Sequence, residues 1–255
     1  MNKNKLALAL SVFIGVVVVA AEVGILLGAC FAMCQSQDTI AVQGSPLVVV
    51  IDAGHGGRDN GVSSPSGLHE ADVNLEISML LKRELEDRGV LVALTRDDEE
   101  SLADGDESNK KRADMKRRHD VIERAAPDLV ISVHVNSFPA QKSVQGIQTF
   151  YHGDVGKTHA QHIQNHLNQT DLCEKKRVAM KGDFFILETE YPSVLVECGF
   201  LSNSGDEAKL RDPEYLASLA VHLAEAIVGS VKNSPRVERE INWQEKSFVY
   251  LDKSC

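Results

Sequence analysis

Two histidines and two glutamates in this chain stand where they could share one reaction. His55 follows an apolar run, Leu47–Asp52, in a turn crowded with Gly54, Gly56 and Gly57. His134 ends a second such run, Leu129–His134, and Glu197 lies near the end of a third, Val194–Cys198. Glu70 opens a helical stretch after the loop that leaves His55. Two imidazoles and one carboxylate suit zinc, with a fourth position left for water. Zinc lowers the pKa of that water toward about 7. The remaining carboxylate can then take the proton and pass it to a departing nitrogen. A carboxylate inside VLVECGF needs a partner or a use, because burying an unpaired charge is costly. The glycine-rich turn also raises phosphate binding, but it has neither the GxGxxG spacing nor the lysine of a P-loop.

For these residues to meet, the apolar runs must be neighbouring strands. The pattern predicts strands at Leu47–Asp52, Val90–Thr95, Leu129–His134, Gln145–Tyr151, Phe184–Leu187 and Val194–Cys198. Between them it predicts helices at Glu70–Arg88, Lys110–Ala126, Thr158–Leu167 and Asp212–Val231. Val73, Ile77, Leu80, Leu81 and Leu85 share one helical face, and Gly89 supplies a stop. Continuous apolar strands alternating with helices predict an α/β fold with a mostly parallel central sheet and helices on both faces. In such sheets ligands bind beyond the carboxyl ends of the strands, where all four residues fall. Cys198 alternates with Glu197 along its strand, so it should point to the other face as a small buried hydrophobe. His159, His162 and His166 are spaced three and four apart on one helix, the geometry of a metal face. They lack the HExxH glutamate and are expected to flank the core stripe in solvent. His69 competes with Glu70 as a ligand.

Charged residues make up 25% of the 255 residues and aromatics 5%, as in an ordinary globular α/β protein. The net charge of −10, without a basic stripe, argues against a nucleic-acid partner. The acidic run Asp97–Glu107 is expected to be a solvated loop. The five cysteines are scattered, with no CxxC pair. Lys3 and Lys5 precede an apolar stretch, residues 6–34, in which Glu22 is the only charge. That length suits a bilayer span, and the lysines favour a cytosolic N-terminus over residues 1–5. An uncleaved anchor is the first reading. A signal peptide cleaved before Glu22 and a lipoprotein site at Cys30 are the alternatives. All three place the domain outside the cytosolic membrane. Residues 35–46 are expected to be a linker, 47–231 a single catalytic domain, and 232–255 a tail holding the sole tryptophan, Trp243.

The stretches IDAGHGGRDNGV, GLHEADVNLEISMLLKRELEDRGVLVALTRD, LVISVHVNS and PSVLVECGFLSN, in that order, closely resemble the zinc-dependent N-acetylmuramoyl-L-alanine amidases. The resemblance runs from about Leu47 to Val231. It implies a peptidoglycan hydrolase that cuts the amide between the lactyl group of N-acetylmuramic acid and L-alanine. It implies one zinc per chain on His55, Glu70 and His134, with Glu197 as the catalytic carboxylate. Arg118 matches an arginine on the helix before the SVH strand, with a substrate role or that of a helix-surface or salt-bridging arginine. Asn136, in the same LVISVHVNS stretch, is carried over as a substrate-side residue. KKRADMKRRHDVI and GIQTFYHG are more narrowly similar to the spore-cortex amidases of endospore formers. Those remove stem peptides so that muramic acid can become the δ-lactam. This places the enzyme at the cell wall or in the forespore intermembrane space, on peptidoglycan, with the membrane as anchor and an accessory protein left open. The family usually has proline where Ala53 stands and an apolar residue where Cys198 stands. The competing readings are a vegetative or division amidase, a catalytically silent wall-binding module, and a zinc carboxypeptidase on the stem peptide.

Overall fold

The computed structural model describes residues 46–99 and 110–234. The apolar segment 6–34, most of the linker, most of the acidic run and nearly all of the tail lie outside the described residues.

Six strands form one sheet: β1 (Val48–Ala53), β2 (Leu91–Leu94), β3 (Leu129–Asn136), β4 (Gln148–Tyr151), β5 (Met180–Lys181) and β6 (Ser193–Phe200). Their spatial order is β2-β1-β3-β6-β4-β5. β1 runs parallel to β2 and β3, β3 parallel to β6, and β4 antiparallel to β6. The helices are α1 (Glu70–Glu86), α2 (Lys110–Ala125), α3 (Gly153–Leu167), α4 (Ser204–Leu210) and α5 (Pro213–Lys232). Strand alternation divides the apolar side chains between two cores. Val49 and Ile51 of β1 face the larger core, with Ile77 and Leu81 of α1, Ile163 of α3, and Leu223 and Ile227 of α5. Val50 faces the smaller one, with Ile122 of α2 and Leu195 of β6. Helices therefore cover both faces.

Local signals fix the helix ends. Asp212 caps α5 by accepting the N–H of Glu214, and Pro213 stands at its first turn. Gly89, with φ 75°, turns the chain out of α1 toward β2. By length and composition α5 is apolar enough to cross a bilayer. Its Leu216, Leu219, Ala220, Leu223 and Ile227 are fully packed in the larger core, which makes it a core helix.

The structure departs from the sequence expectations at several places. Phe184–Leu187 is not a strand: Phe185–Leu187 forms a 3-10 turn, with the N–H of Leu187 donating to the Phe184 carbonyl. A short apolar run has no period that separates the two outcomes. Helix α3 begins at Gly153 instead of Thr158. Its Gly156 is needed because a Cβ there would lie 2.8 Å from the Ser193 carbonyl oxygen. The short helix α4, capped by the Asn203 side chain, carried no apolar periodicity to announce it. Because β4 is reversed, the chain leaves β3 and enters β4 at the same end of the strands, the carboxyl end of β3 and β6. Residues 137–147 arch over the end of β6, held where Phe138 N–H donates to Ser202 Oγ and Gly146 N–H to Asp206 Oδ2.

Candidate active site

The exit of β1 is built around side chains that need room. Gly54 donates its N–H to the Val133 carbonyl at 3.0 Å, tying the turn to β3. A Cβ on Gly54 would sit 2.3 Å from Cε1 and 2.4 Å from Nε2 of His134. Gly61, with φ 64°, would put a Cβ 2.5 Å from Glu70 Oε2. His55 itself has φ 61°, a left-handed conformation that non-glycine residues seldom adopt and that is held at functional sites. The small residues are thus dictated by the rings and the carboxylate packed against them.

His55 and His134 stand edge to face, with ring centroids 5.1 Å apart. Glu70 lies between them. Its Oε1 is 3.2 Å from His55 Nε2 and 2.9 Å from His134 Nδ1. One donor atom from each of the three lies within 4.8 Å of the others. The Glu70 carboxylate is held by backbone: Oε2 accepts from Val62 N–H at 2.9 Å and Oε1 from Val135 N–H at 3.3 Å. Asn74, one turn on in α1, donates to the Gly54 carbonyl at 3.1 Å and reaches Glu70 Oε1 at 3.4 Å. Behind His55, Asp59 Oδ1 is 3.1 Å from Nδ1, the carboxylate–imidazole arrangement that orients metal ligands.

Glu197 lies in register beside His134 on the adjoining strand. It is 7% exposed, and its Oε2 is buried with no hydrogen-bond partner among the described residues. Burial, aided by the like charge of Glu70, pushes its carboxyl up to about 7 against the pull of His134 and His55. Burial would also raise Glu70. There, hydrogen bonds from His134 and His55 outweigh it and hold the carboxyl far below its usual range. One site therefore drives two carboxyls apart, one ionised and one poised to exchange a proton. Burial lowers the His55 imidazole, but Glu70 and Asp59 outweigh it and leave it above its usual range. Just past the pair the ladder slips: His134 opposes Glu197, whereas Asn136 opposes Phe200, so β6 carries one extra residue. Such bulges re-aim side chains beside active sites. The donor set of two imidazole nitrogens and an ionised carboxylate fits a divalent ion of the zinc class.

Two arginines clamp the loop that carries His55. Arg118 donates to the carbonyls of Ala53 (2.7 Å) and His55 (2.6 Å), to Asp52 Oδ1 (2.8 Å) and to Asp114 Oδ2 (2.7 Å). Its side chain is 2% exposed, so its guanidinium is spent inside the protein in the salt-bridging role. Arg96 donates to the carbonyls of Ala53, Gly54 and Ala71 at 2.9 to 3.0 Å. Asn136, half-buried at the end of β3, accepts the Ser137 N–H on its side-chain oxygen at 2.7 Å. His69 precedes α1 and bonds Ser63 Oγ through Nδ1 at 2.8 Å, outside the His55 cluster. Cys198 is buried in the larger core, and burial together with the Glu197 charge pushes its thiol well up, away from thiolate chemistry. His159 is buried and bonded to Ser230, not solvent-flanking as expected.

Asp52, Asp59, Asn74 and Arg96 escaped the sequence reading. Asn74 and Asp52 left a trace, as polar residues on otherwise apolar stripes. Asp59 and Arg96 lie in loops, where a charge ordinarily needs no partner.

A profile of the N-acetylmuramoyl-L-alanine amidase family matches residues 49–229. A germination-specific N-acetylmuramoyl-L-alanine amidase of Bacillus subtilis is 32% identical over 190 residues, covering 72% of this chain and 79% of that protein. The CwlD amidase of Clostridioides difficile, solved in complex with the GerS lipoprotein, superposes with a TM-score of 0.70 at 31% identity, covering 74% of this chain and 100% of that one. The amidase AmiC2 of Nostoc punctiforme superposes with a TM-score of 0.66 at 32% identity, covering 74% and 100%. The matched span holds His55, Glu70, His134 and Glu197 together with the sheet that carries them, and the chain belongs to the N-acetylmuramoyl-L-alanine amidase family of peptidoglycan hydrolases.

Proposed function

We propose that this chain hydrolyses the amide between the lactyl group of N-acetylmuramic acid and L-alanine, with one zinc ion on His55, Glu70 and His134 and with Glu197 as the proton carrier. The observation that carries this reading is the Glu197 carboxyl: buried, unpartnered, in register with His134 and raised to about 7. Zinc, when bound, supplies Lewis-acid chemistry, polarising the amide carbonyl and lowering the pKa of water toward about 7. Glu197 takes a proton from the attacking water as its oxygen adds to the carbonyl carbon. It returns that proton to the L-alanine nitrogen as the C–N bond breaks. A buried carboxyl raised above its usual range is suited to both steps. Asp59 holds the His55 ring through Nδ1, which leaves Nε2 turned to Glu70. Asn136 sits on the substrate side at the end of β3, and Arg118 acts through the loop that presents His55.

The biological setting we infer is spore-cortex maturation, in which stem peptides are removed ahead of δ-lactam formation. The B. subtilis relative is named germination-specific, and the C. difficile neighbour was solved with a lipoprotein partner. The chain then works outside the cytosolic membrane, held by residues 6–34 and aided by an accessory lipoprotein.

Mass spectrometry of peptidoglycan digested by the zinc-loaded full chain tests the reaction. Intact stem peptides with a free L-alanine amine are expected. Shortened stems would mean a carboxypeptidase, and binding without release a silent module. Glu197→Gln should keep its zinc and lose about 10²–10⁴-fold in turnover. Near-normal turnover would remove Glu197 from the proton-transfer role.

A further inference from the structure

A second group of metal-ligating side chains lies between α3 and α5, outside the His55 cluster. His166, in the last turn of α3, faces His222 and Glu225 of α5. Its Nε2 is 3.7 Å from Glu225 Oε2, and His222 Nδ1 is 3.5 Å from the same oxygen. Both ring nitrogens are buried, and neither has a hydrogen-bond partner among the described residues. The rings are tilted toward each other with centroids 6.1 Å apart, and one donor atom from each residue lies within 4.8 Å of the others.

The spacing is that of ligands around an ion. Donors bound about 2.0–2.2 Å from a tetrahedral metal stand about 3.4 Å from one another. Separations of 3.5 and 3.7 Å come close to that value and are long for hydrogen bonds. His222 and Glu225 are three residues apart on one face of α5. The third ligand is fixed by packing, since Ile163 and Leu167 of α3 share the larger core with Leu223 and Ile227 of α5. Arg88 Nη2 lies 3.9 Å from the other Glu225 oxygen, Oε1, and so leaves Oε2 to the imidazoles. The three side chains are 33%, 30% and 45% exposed, so solvent can supply the fourth ligand and the ion can exchange. Two imidazoles with one carboxylate favour zinc-class ions over calcium or magnesium, which prefer oxygen alone. The histidine spacing on α3 therefore points to metal in a different way from the sequence pattern. His159 turns inward to Ser230, and only His166 joins, with partners from another helix.

We propose that His166, His222 and Glu225 form a second, exchangeable zinc-class cation site that clips α3 to α5. It is independent of the His55 cluster and of the amidase reading. The full chain, stripped by chelator and dialysed against buffered zinc, should bind two zinc ions. His166→Gln and Glu225→Gln should each bind one, with turnover on peptidoglycan within about twofold of the parent. His55→Ala should also fall to one, and His55→Ala combined with His166→Gln to none. Cobalt in place of zinc adds a spectroscopic readout. The second equivalent should contribute a visible absorption band in the parent that is lost in His166→Gln. The proposal is overturned if the parent binds a single ion that His55→Ala removes. It is equally overturned if a second ion persists in both His166→Gln and Glu225→Gln, which would mark adventitious surface binding. Retained turnover in these variants confirms that they fold. A wrong assignment at His55 would show separately, as unchanged metal content in His55→Ala.

Discussion

Glu197 and Cys198 are sequence neighbours with opposite chemistry, because a strand sends them to opposite faces. The thiol goes into the larger core and stays neutral, while the carboxyl lies beside His134. At the same scale Asp59 is a small residue with a large assignment. Its carboxylate reaches His55 Nδ1 at 3.1 Å and accepts the Gly61 N–H at 3.1 Å, so it fixes ring and turn together. Removing such an outer partner typically weakens metal binding about 10–100-fold. Asp59→Asn should therefore lower zinc affinity by that factor in competition with a chelator while leaving the stoichiometry of the His55 site intact. Unchanged affinity would remove Asp59 from the support of His55.

Among the elements, β1, β3 and α2 are joined by one buried charge pair. Asp52 accepts from Arg118 at 2.8 Å, from Thr95 at 2.7 Å and from Ser132 at 2.7 Å, and both charged side chains are 2% exposed. Arg118→Met leaves Asp52 buried and unpaired and should cost about 3–5 kcal/mol in denaturant unfolding. Asp52→Asn combined with Arg118→Met should recover part of it. Burial raises the Asp52 carboxyl, but Arg118 and Ser132 outweigh it and hold it at about 2 against an ordinary 3.8. A depressed carboxyl stabilises the fold above its unfolded pKa. That stability, on the order of 2 kcal/mol, is present above pH 3.8 and lost as pH falls toward 2. Unfolding midpoints of the wild type should fall through this window, and those of Asp52→Asn should fall less. The same elements show what a sequence can disclose. The strands β1, β3 and β6 and helices α1 and α5 were legible because each is a long apolar run or stripe. That His55, Glu70 and His134 come together was legible too, because two follow or end apolar strands and the third opens the helix between them. The reversal of β4, the 3-10 turn at Phe185 and the early start of α3 were not. Strand direction has no period, and a glycine such as Gly156, which weakens a helical signal, is explained only by the strand it touches. The role of Arg118 was equally hidden, since an arginine on a charged helix looks the same whether it faces water or Asp52.

For the whole molecule, the two faces of the sheet are unequal. The larger core holds α1, α3 and α5, whereas the smaller holds α2 and the 3-10 turn. His134 shares its strand face with Val130 of the smaller core, whereas Glu70 comes from α1, which packs in the larger one, so both sides reach the site while α5 adds core packing and no site residue. Leu223, fully buried in α5, is a test of that division. Leu223→Ala should cost about 2–5 kcal/mol in unfolding while leaving turnover of the folded enzyme near that of the parent. A parallel loss of turnover would show that the packing of α5 and the site are coupled. The arch over the end of β6 has a different consequence. The chain between β3 and β4 begins and finishes at one end of the strands, so it can grow without a new crossover and without shifting the ladder beneath it. Loop closure costs little more as such a segment lengthens. In descendants of this fold, the rim above Glu197 is thus the place where insertions can accumulate, reshaping which cell-wall polymers enter while the proton chemistry below is inherited unchanged.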